Sequence, residues 1–339
     1  MKKVSWEEFT LVNDNGMEVS CLNYGGVITK ILTPDQSGNV ENVVLGYRDY
    51  ADYISNPNFF GALIGRVAGR VEDASFTLDE HVYQLQANDG KNQLHSGDKG
   101  FHQVVWDVET FKQEGKAGLI LSHFIADEED GYPGNLEMKV IYTLDNSNNF
   151  SITYQGEADK KTALTATNHT YFNLSGNLRD TILDHHVTLD SCEFLELDEA
   201  LIPTGKKLRV ADSVFDFRKG RLLKDGSVSD CEQNKIASNG YDHYFIFDKK
   251  SDAEVVVKDF TSGRKMSIKT DQPGVVVYSG NGLDDQHELA EGKSGKHLGV
   301  CFETQASPAS LHGDGFPTCI LNKGEVYYYT TTFQFGLID

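Results

Sequence analysis

One pattern recurs along almost the whole chain: runs of about five to eight β-forming residues, each closed by Gly, Asn or Asp. EFTLVNDNGMEVSCLNYGG reads as a strand, an Asn-Gly turn and a second strand. ASFTLDEHVYQLQANDG, AGLILSHFIA, EMKVIYTLDNSNNFSITYQGE and AEVVVKDFTSGRKMSIKT follow the same grammar, and GEVYYYTTTFQFGL closes it with a Tyr/Thr/Phe strand. Helical periodicity is confined to short pieces around 56 to 68 and 285 to 291. The pattern predicts an all-β fold, a large antiparallel β-sandwich with few short helices, and argues against a parallel α/β sheet. Without a linker, a composition break or a fixed-period repeat, the expectation is a single domain over residues 1–339.

Charge narrows the partners. With 31 basic and 51 acidic residues the chain carries a formal net charge of -20, which opposes binding to nucleic acid or to an anionic membrane surface. Cys21, Cys192, Cys231, Cys301 and Cys319 are odd in number and have no C-x-x-C pair, so reduced thiols are expected rather than a disulfide framework or a zinc knuckle. The opening MKKVSWEEFTLVNDNG turns polar before an apolar core could form, and no run of about eighteen apolar residues follows. A cytoplasmic location is therefore expected. On that view Asn168-His169-Thr170 and Asn173-Leu174-Ser175 match the N-glycosylation pattern by accident.

Several motifs can be set aside. GALIGRVAGR, residues 61 to 70, lacks both the Lys-[ST] of a phosphate loop and the G-x-G-x-x-G spacing, and its Arg66 and Arg70 read first as surface charges. His185 and His186 are adjacent, so on a strand they face opposite ways. No H-x-x-x-H, H-E-x-x-H or Cys/His cluster is present, and DDQHE at 284 to 288 lacks calcium-loop spacing, so no metal and no cofactor are expected.

Four segments resist such dismissal. In ALTATNHTYFNLSG, period-two alternation puts Leu164, Ala166, Asn168, Thr170, Phe172 and Leu174 on one face. Thr165, Thr167, His169, Tyr171 and Asn173 fall on the other, a polar face that is either solvent surface or the floor of a site. NQLHSGDKGF places His95 in a Gly/Asp-rich loop, and SNGYDHYFIFD places Asp242 at the start of an aromatic strand. HLGVCFETQASP puts Cys301, Glu303 and Gln305 on one face of an apolar strand and Val300, Phe302 and Thr304 on the other. Glu303 is either on a solvated face or in a site where partial burial raises its pKa. Together these segments offer an acid–base set without a nucleophile.

Taken in order, GRVAGR, LHSGDKGF, NHTYFNLSG, LIPTGKKLRV with FDFRKG, GYDHYF, QPGVVVYSGN and GVCFETQASP resemble the successive signature blocks of the aldose 1-epimerases, or galactose mutarotases, over nearly the whole chain. The resemblance implies a β-sandwich, His169 as general acid and Glu303 as general base. It further implies that Arg70, His95 and Asp242 bind the sugar, with Tyr278 and Gln305 nearby. Three positions depart from the family pattern: Gly69 stands where Asn is usual, Ser96 where Gly is commoner, and Ala309 where Asp usually follows the proline. At the first, a side-chain hydrogen bond to substrate is lost or is supplied by backbone or water.

Anomer exchange needs a proton taken from the C1 hydroxyl and one given to the ring oxygen, then the reverse after rotation about C1–C2. An ionised Glu and a His near neutrality suit those tasks, and no cofactor is required. Tyr171, Phe172 and Tyr278 are expected under the apolar face of a hexose such as galactose or glucose. The partner is then a small-molecule monosaccharide, and the protein is expected to be a monomer or homodimer. Three rivals remain. A hexose-6-phosphate 1-epimerase would need converging arginines, a non-catalytic glycan-binding sandwich would bind without turnover, and a glycoside hydrolase would use Asp242 and Glu303 as its carboxylate pair.

Overall fold

In the computed structural model, which describes residues 6–248 and 253–338, two antiparallel sheets hold most of the strand residues. Nine strands run in the order Asp107–Gln113, Lys116–Ile125, Leu136–Asp145, Asn149–Ala158, Val326–Leu337, Arg264–Thr270, Val255–Asp259, His186–Leu189, Arg221–Leu222. Six more run Tyr171–Phe172, Val300–Thr304, Gly274–Tyr278, Asp242–Ile246, Glu193–Leu197, Pro203–Arg209. A smaller sheet of Glu8–Val12, Glu18–Leu22, Ile28–Pro34 and Val40–Asn42 comes from the opening residues. The all-β expectation holds, hairpin by hairpin. In the first turn Asn13 accepts from the N–H groups of Asn15 and Met17, and Gly16 takes the positive φ that the turn requires.

Alternation explains the core. Met138, Val140, Tyr142 and Leu144 of one strand and Phe150, Ile152 and Tyr154 of its neighbour point inward from the large sheet. They share one apolar cluster with Phe172, Phe245, Val275, Val277, Val300 and Phe302 of the six-stranded sheet. The central strands of the six-stranded sheet therefore bury one face against the nine-stranded sheet, which leaves their other face free to line a site.

Several expectations need correction. Residues 56 to 68 are not helical: Leu63–Ile64 pairs antiparallel with Thr167–Asn168, and Gly61 at φ 66° packs so close that a Cβ there would lie 2.1 Å from the Ile28 carbonyl oxygen. Residues 285 to 291 contain instead a short strand, Glu288–Leu289, paired with Gly292–Lys293. The α-helices among the described residues are Lys224–Ser227 and Glu232–Ile236, each too short to produce a helical period in the sequence.

Arg66 is not a surface charge. It is wholly buried, its Nε lies 3.0 Å from Asp130 Oδ2, and its Nη1 donates to the carbonyls of Pro133 and Gly134 and to Thr162 Oγ1. Nor are Asn168 and Asn173 glycan acceptors in this fold. Both are buried, and their amides donate to Gly61 and to Asp180 and Leu298.

Removing the Arg66 guanidinium would strand the Asp130 carboxylate in the interior. Arg66→Ala is expected to cost about 3–5 kcal/mol of stability, read from urea unfolding, and pairing it with Asp130→Leu should restore part of that loss.

Candidate active site

The outward face of the six-stranded sheet is laid out by register. Asp242 pairs with Tyr278, Tyr278 with Cys301, and Cys301 with Tyr171, giving one row across four strands. The next row runs from Tyr244 through Val276 to Glu303. Loops carrying Phe59, Gly69, Arg70 and His95 stand over these rows and enclose a cavity of about 310 Å³, at the small end of the range for ligand sites. Arg70, His95, His169, Asp242, Tyr278, Glu303 and Gln305 all line it. Seven residues named from six separate sequence segments thus meet in one place.

The floor reading of the NHTYFNL face holds only in part. Thr165, Thr167 and Asn173 are buried but do not line the cavity; Thr165, for one, ties its own loop to both the N–H and the carbonyl of Ala306. His169 and Tyr171 do line it. Phe172 does not lie under the ligand space, because it faces the intersheet core against Phe333 and Phe335. Phe59 takes that place instead, edge-on to the His95 ring at 4.7 Å and 5.8 Å from the His169 ring. Nothing in the sequence singled out Phe59, which fell inside the segment read as helix.

Glu303 and His169 face each other, with Oε1 3.5 Å from Nε2 and both side chains almost fully buried. Burial is the main cause of their titration shifts. It pushes the Glu303 carboxyl up to about 8, with the nearby Asp242 charge adding and Arg70 opposing, and it holds His169 down at about 4. These shifts favour the proton on Glu303 and a neutral imidazole, which differs from the ionised Glu303 expected from the sequence. The proton count is the same either way; only its position across the 3.5 Å gap changes.

Arg70 holds the opposite wall. Its Nε donates to Asp89 at 2.7 Å, and its Nη1 lies 3.9 Å from Asp242 Oδ2. Burial raises the Asp242 pKa while Arg70 opposes the rise. Asp89 was not identified from the sequence, since a carboxylate in a Gly/Asn-rich turn has no distinguishing pattern.

His95 Nδ1 accepts a hydrogen bond of 3.1 Å from the Gly69 N–H, so the proton of its neutral ring sits on Nε2. Burial keeps that ring neutral by lowering its pKa well below the ordinary value. Gly69 thus contributes through its backbone, where the resemblance led us to expect a missing side-chain bond. Gly69 sits at φ 93°, and a Cβ there would come within 3.0 Å of Pro308.

Ligand atoms of His95, His169 and Glu303 come within 4.8 Å of one another, close enough to raise the question of a metal. The Gly69 hydrogen bond answers it in part: it makes His95 present an N–H donor at Nε2 and occupies the Nδ1 lone pair. A metal ligand needs a free lone pair. Gln305 donates through Nε2 to the carbonyls of Ala68 and Ala306, while its buried Oε1 has no partner among the described residues.

Comparison with known proteins gives the family. The family model described as aldose 1-epimerase matches residues 7–334. The chain belongs to the aldose 1-epimerase family. Galactose mutarotases of Bos taurus and Homo sapiens are 38% and 36% identical to it, each over 98% of this chain and 94% of the relative. The galactose 1-epimerase of Lactobacillus acidophilus superposes with a TM-score of 0.89 at 32% identity, covering 100% of this chain and 97% of that one. As a member of that family the protein is an isomerase.

The raised Glu303 pKa has a consequence for stability. The advantage of its neutral form is fully present below the ordinary carboxyl value of 4.5 and is lost as pH rises through about 8. Urea unfolding should therefore show Glu303→Gln gaining stability relative to wild type as pH rises from 5 to 9. A difference that stays constant with pH would contradict the buried, proton-bearing carboxyl.

Proposed function

We propose that this protein is an aldose 1-epimerase whose substrate is a neutral hexose such as galactose or glucose, with Glu303 as general base and His169 as general acid. The observation that carries the reading is the facing pair itself: a carboxyl and an imidazole, 3.5 Å apart and closed off from solvent, in a cavity of sugar size. Glu303 takes the proton of the C1 hydroxyl while His169 Nε2 gives one to the ring oxygen, and the C1–O5 bond opens to the aldehyde. Rotation about C1–C2 followed by the reverse transfers closes the other anomer. These proton transfers balance the reaction without electron transfer.

The shifted affinities favour that step. A carboxylate whose conjugate acid has a pKa of about 8 is a stronger base than an ordinary one, and an imidazolium of about 4 is a stronger acid. After ring opening the proton lies on Glu303 and the ring of His169 is neutral, the distribution that the buried site favours. The step starts from the less populated form, ionised Glu303 with protonated His169, and a substrate hydroxyl donating to the Glu303 carboxylate shifts the pair toward it.

Asp242, Arg70 and the Nε2–H of His95 hold sugar hydroxyls in this reading, and Phe59, Tyr171 and Tyr278 supply apolar surface for the C–H face; all six line the cavity. Arg70 is the one arginine among the described residues lining the cavity, and Asp89 already engages it. That favours a neutral sugar over a sugar phosphate, which calls for converging arginines. A single domain over residues 1–339 is supported by a core cluster that draws on residues from Leu11 to Phe335. A cytoplasmic setting fits the acidic charge and the free cysteines.

Polarimetry on freshly dissolved α-galactose and α-glucose tests the proposal. The wild-type protein should accelerate the approach to anomeric equilibrium, and Glu303→Gln or His169→Gln should each reduce kcat by about 10²–10⁴-fold. No acceleration by the wild-type protein, or full activity in Glu303→Gln, would overturn it. Asp242→Asn should act mainly on KM.

A further inference from the structure

The Val300–Thr304 strand touches the His169 ring at two points. Glu303 Oε1 lies 3.5 Å from Nε2, and two residues earlier on the same strand face Cys301 Sγ lies 3.5 Å from Nδ1. Residues two apart on a strand point the same way, so the sheet itself sets the spacing of the two side chains that flank the imidazole. From this we propose that Cys301 is a positioning residue for His169: its thiol holds Nδ1 and so aims Nε2 at the reacting oxygen.

This inference rests on the acid role given to His169 above. An imidazole that gives and regains its proton at Nε2 keeps an N–H at Nδ1 in both states. The Cys301 sulfur can accept that N–H throughout, which leaves Nε2 as the nitrogen that exchanges the proton. The Cys301 environment keeps it a thiol, because burial, with the Glu303 and Asp242 charges, raises its pKa well above the ordinary value.

Beyond a hydrogen bond with its own backbone, the ring is bounded by other rings. Phe59, His95, Tyr171 and Tyr278 make tilted or edge contacts at 5.0 to 6.2 Å between ring centres, which limit tilt but do not distinguish Nδ1 from Nε2. Cys301 does not line the cavity, so the thiol acts through the imidazole and not on the sugar.

The test compares Cys301→Ala and Cys301→Ser with wild type by polarimetry on α-galactose. The expectation is a kcat loss of roughly tenfold or more in Cys301→Ala with KM changed less than threefold, smaller than the loss on removing the proton-transfer group itself. Cys301→Ser, whose hydroxyl also donates and accepts, should recover most of it. If the role were only to fill space, the buried hydroxyl would do no better than Ala; equal kcat in the two variants, or full kcat in Cys301→Ala, overturns the proposal.

A second measurement does not depend on turnover or on the stability of the Ala variant. The infrared S–H band that is missing in Cys301→Ser should shift when His169 is replaced by Phe; an unmoved band also overturns the proposal. A wild-type protein without mutarotase activity would refute the function proposed above, whereas an active wild type with an indifferent Cys301 would refute this inference alone.

Discussion

The site depends on one strand being buried on both faces. Val300 and Phe302 of Val300–Thr304 pack into the core between the two large sheets, while Cys301 and Glu303 on the other face meet the His169 ring and Glu303 lines the cavity. A carboxyl on a half-exposed strand could move to water and titrate normally. Here the inner face anchors the backbone among large apolar side chains, so Glu303 stays in a poorly solvated place and its proton affinity rises. The intersheet core thereby sets the chemistry of the site as well as the stability of the fold. Neighbouring strands inherit the same frame, since the register places Tyr171, Val276, Tyr278 and Asp242 beside it.

The segment GALIGRVAGR shows how closely structural and functional roles can be set together. Arg66 turns inward and joins Asp130 and the carbonyls of Pro133 and Gly134, pinning the wall to the body of the protein. Four residues on, Arg70 turns into the cavity between Asp89 and Asp242. Gly69, between them, supplies the N–H that fixes which nitrogen of His95 carries its proton. A rigid buttress, a hydrogen-bonding backbone and a ligand-facing cation thus share one short stretch of chain.

What the sequence revealed, and what it hid, follow from physical range. Strands and hairpins were legible because their signals are local: alternation in EMKVIYTLD, and Asn and Gly at the first turn. Arg66 and Arg70 look alike in sequence, because which of them is buried depends on Asp130, more than sixty residues away from Arg66. Asp89 lies outside any pattern and Phe59 inside a segment whose spacing reads as helix; Phe59 comes to line the cavity, and Asp89 to engage Arg70, only when loops fold over the sheet. The segment around 56 to 68 seemed helical from its apolar spacing, but its polar backbone groups are claimed by partners near Gly25 and His169. The meeting of His169 with Glu303 was available only through the resemblance, since 132 residues separate Cys301 from the same histidine and strand pairing at that distance leaves no local trace.

The carbonyl oxygen of Gln305, without a partner among the described residues, would give the cavity a way of choosing among ligands of similar shape. Its amide nitrogen is committed to two backbone carbonyls, so the side chain cannot turn to relieve the oxygen. A buried acceptor without a donor carries a cost of about 1–3 kcal/mol. A ligand hydroxyl that reaches this oxygen removes that cost, whereas a deoxy or fluoro analogue of the same outline leaves it in place. Selectivity at this wall would then lie in the ability to donate a hydrogen, a property that size and polarity alone do not capture.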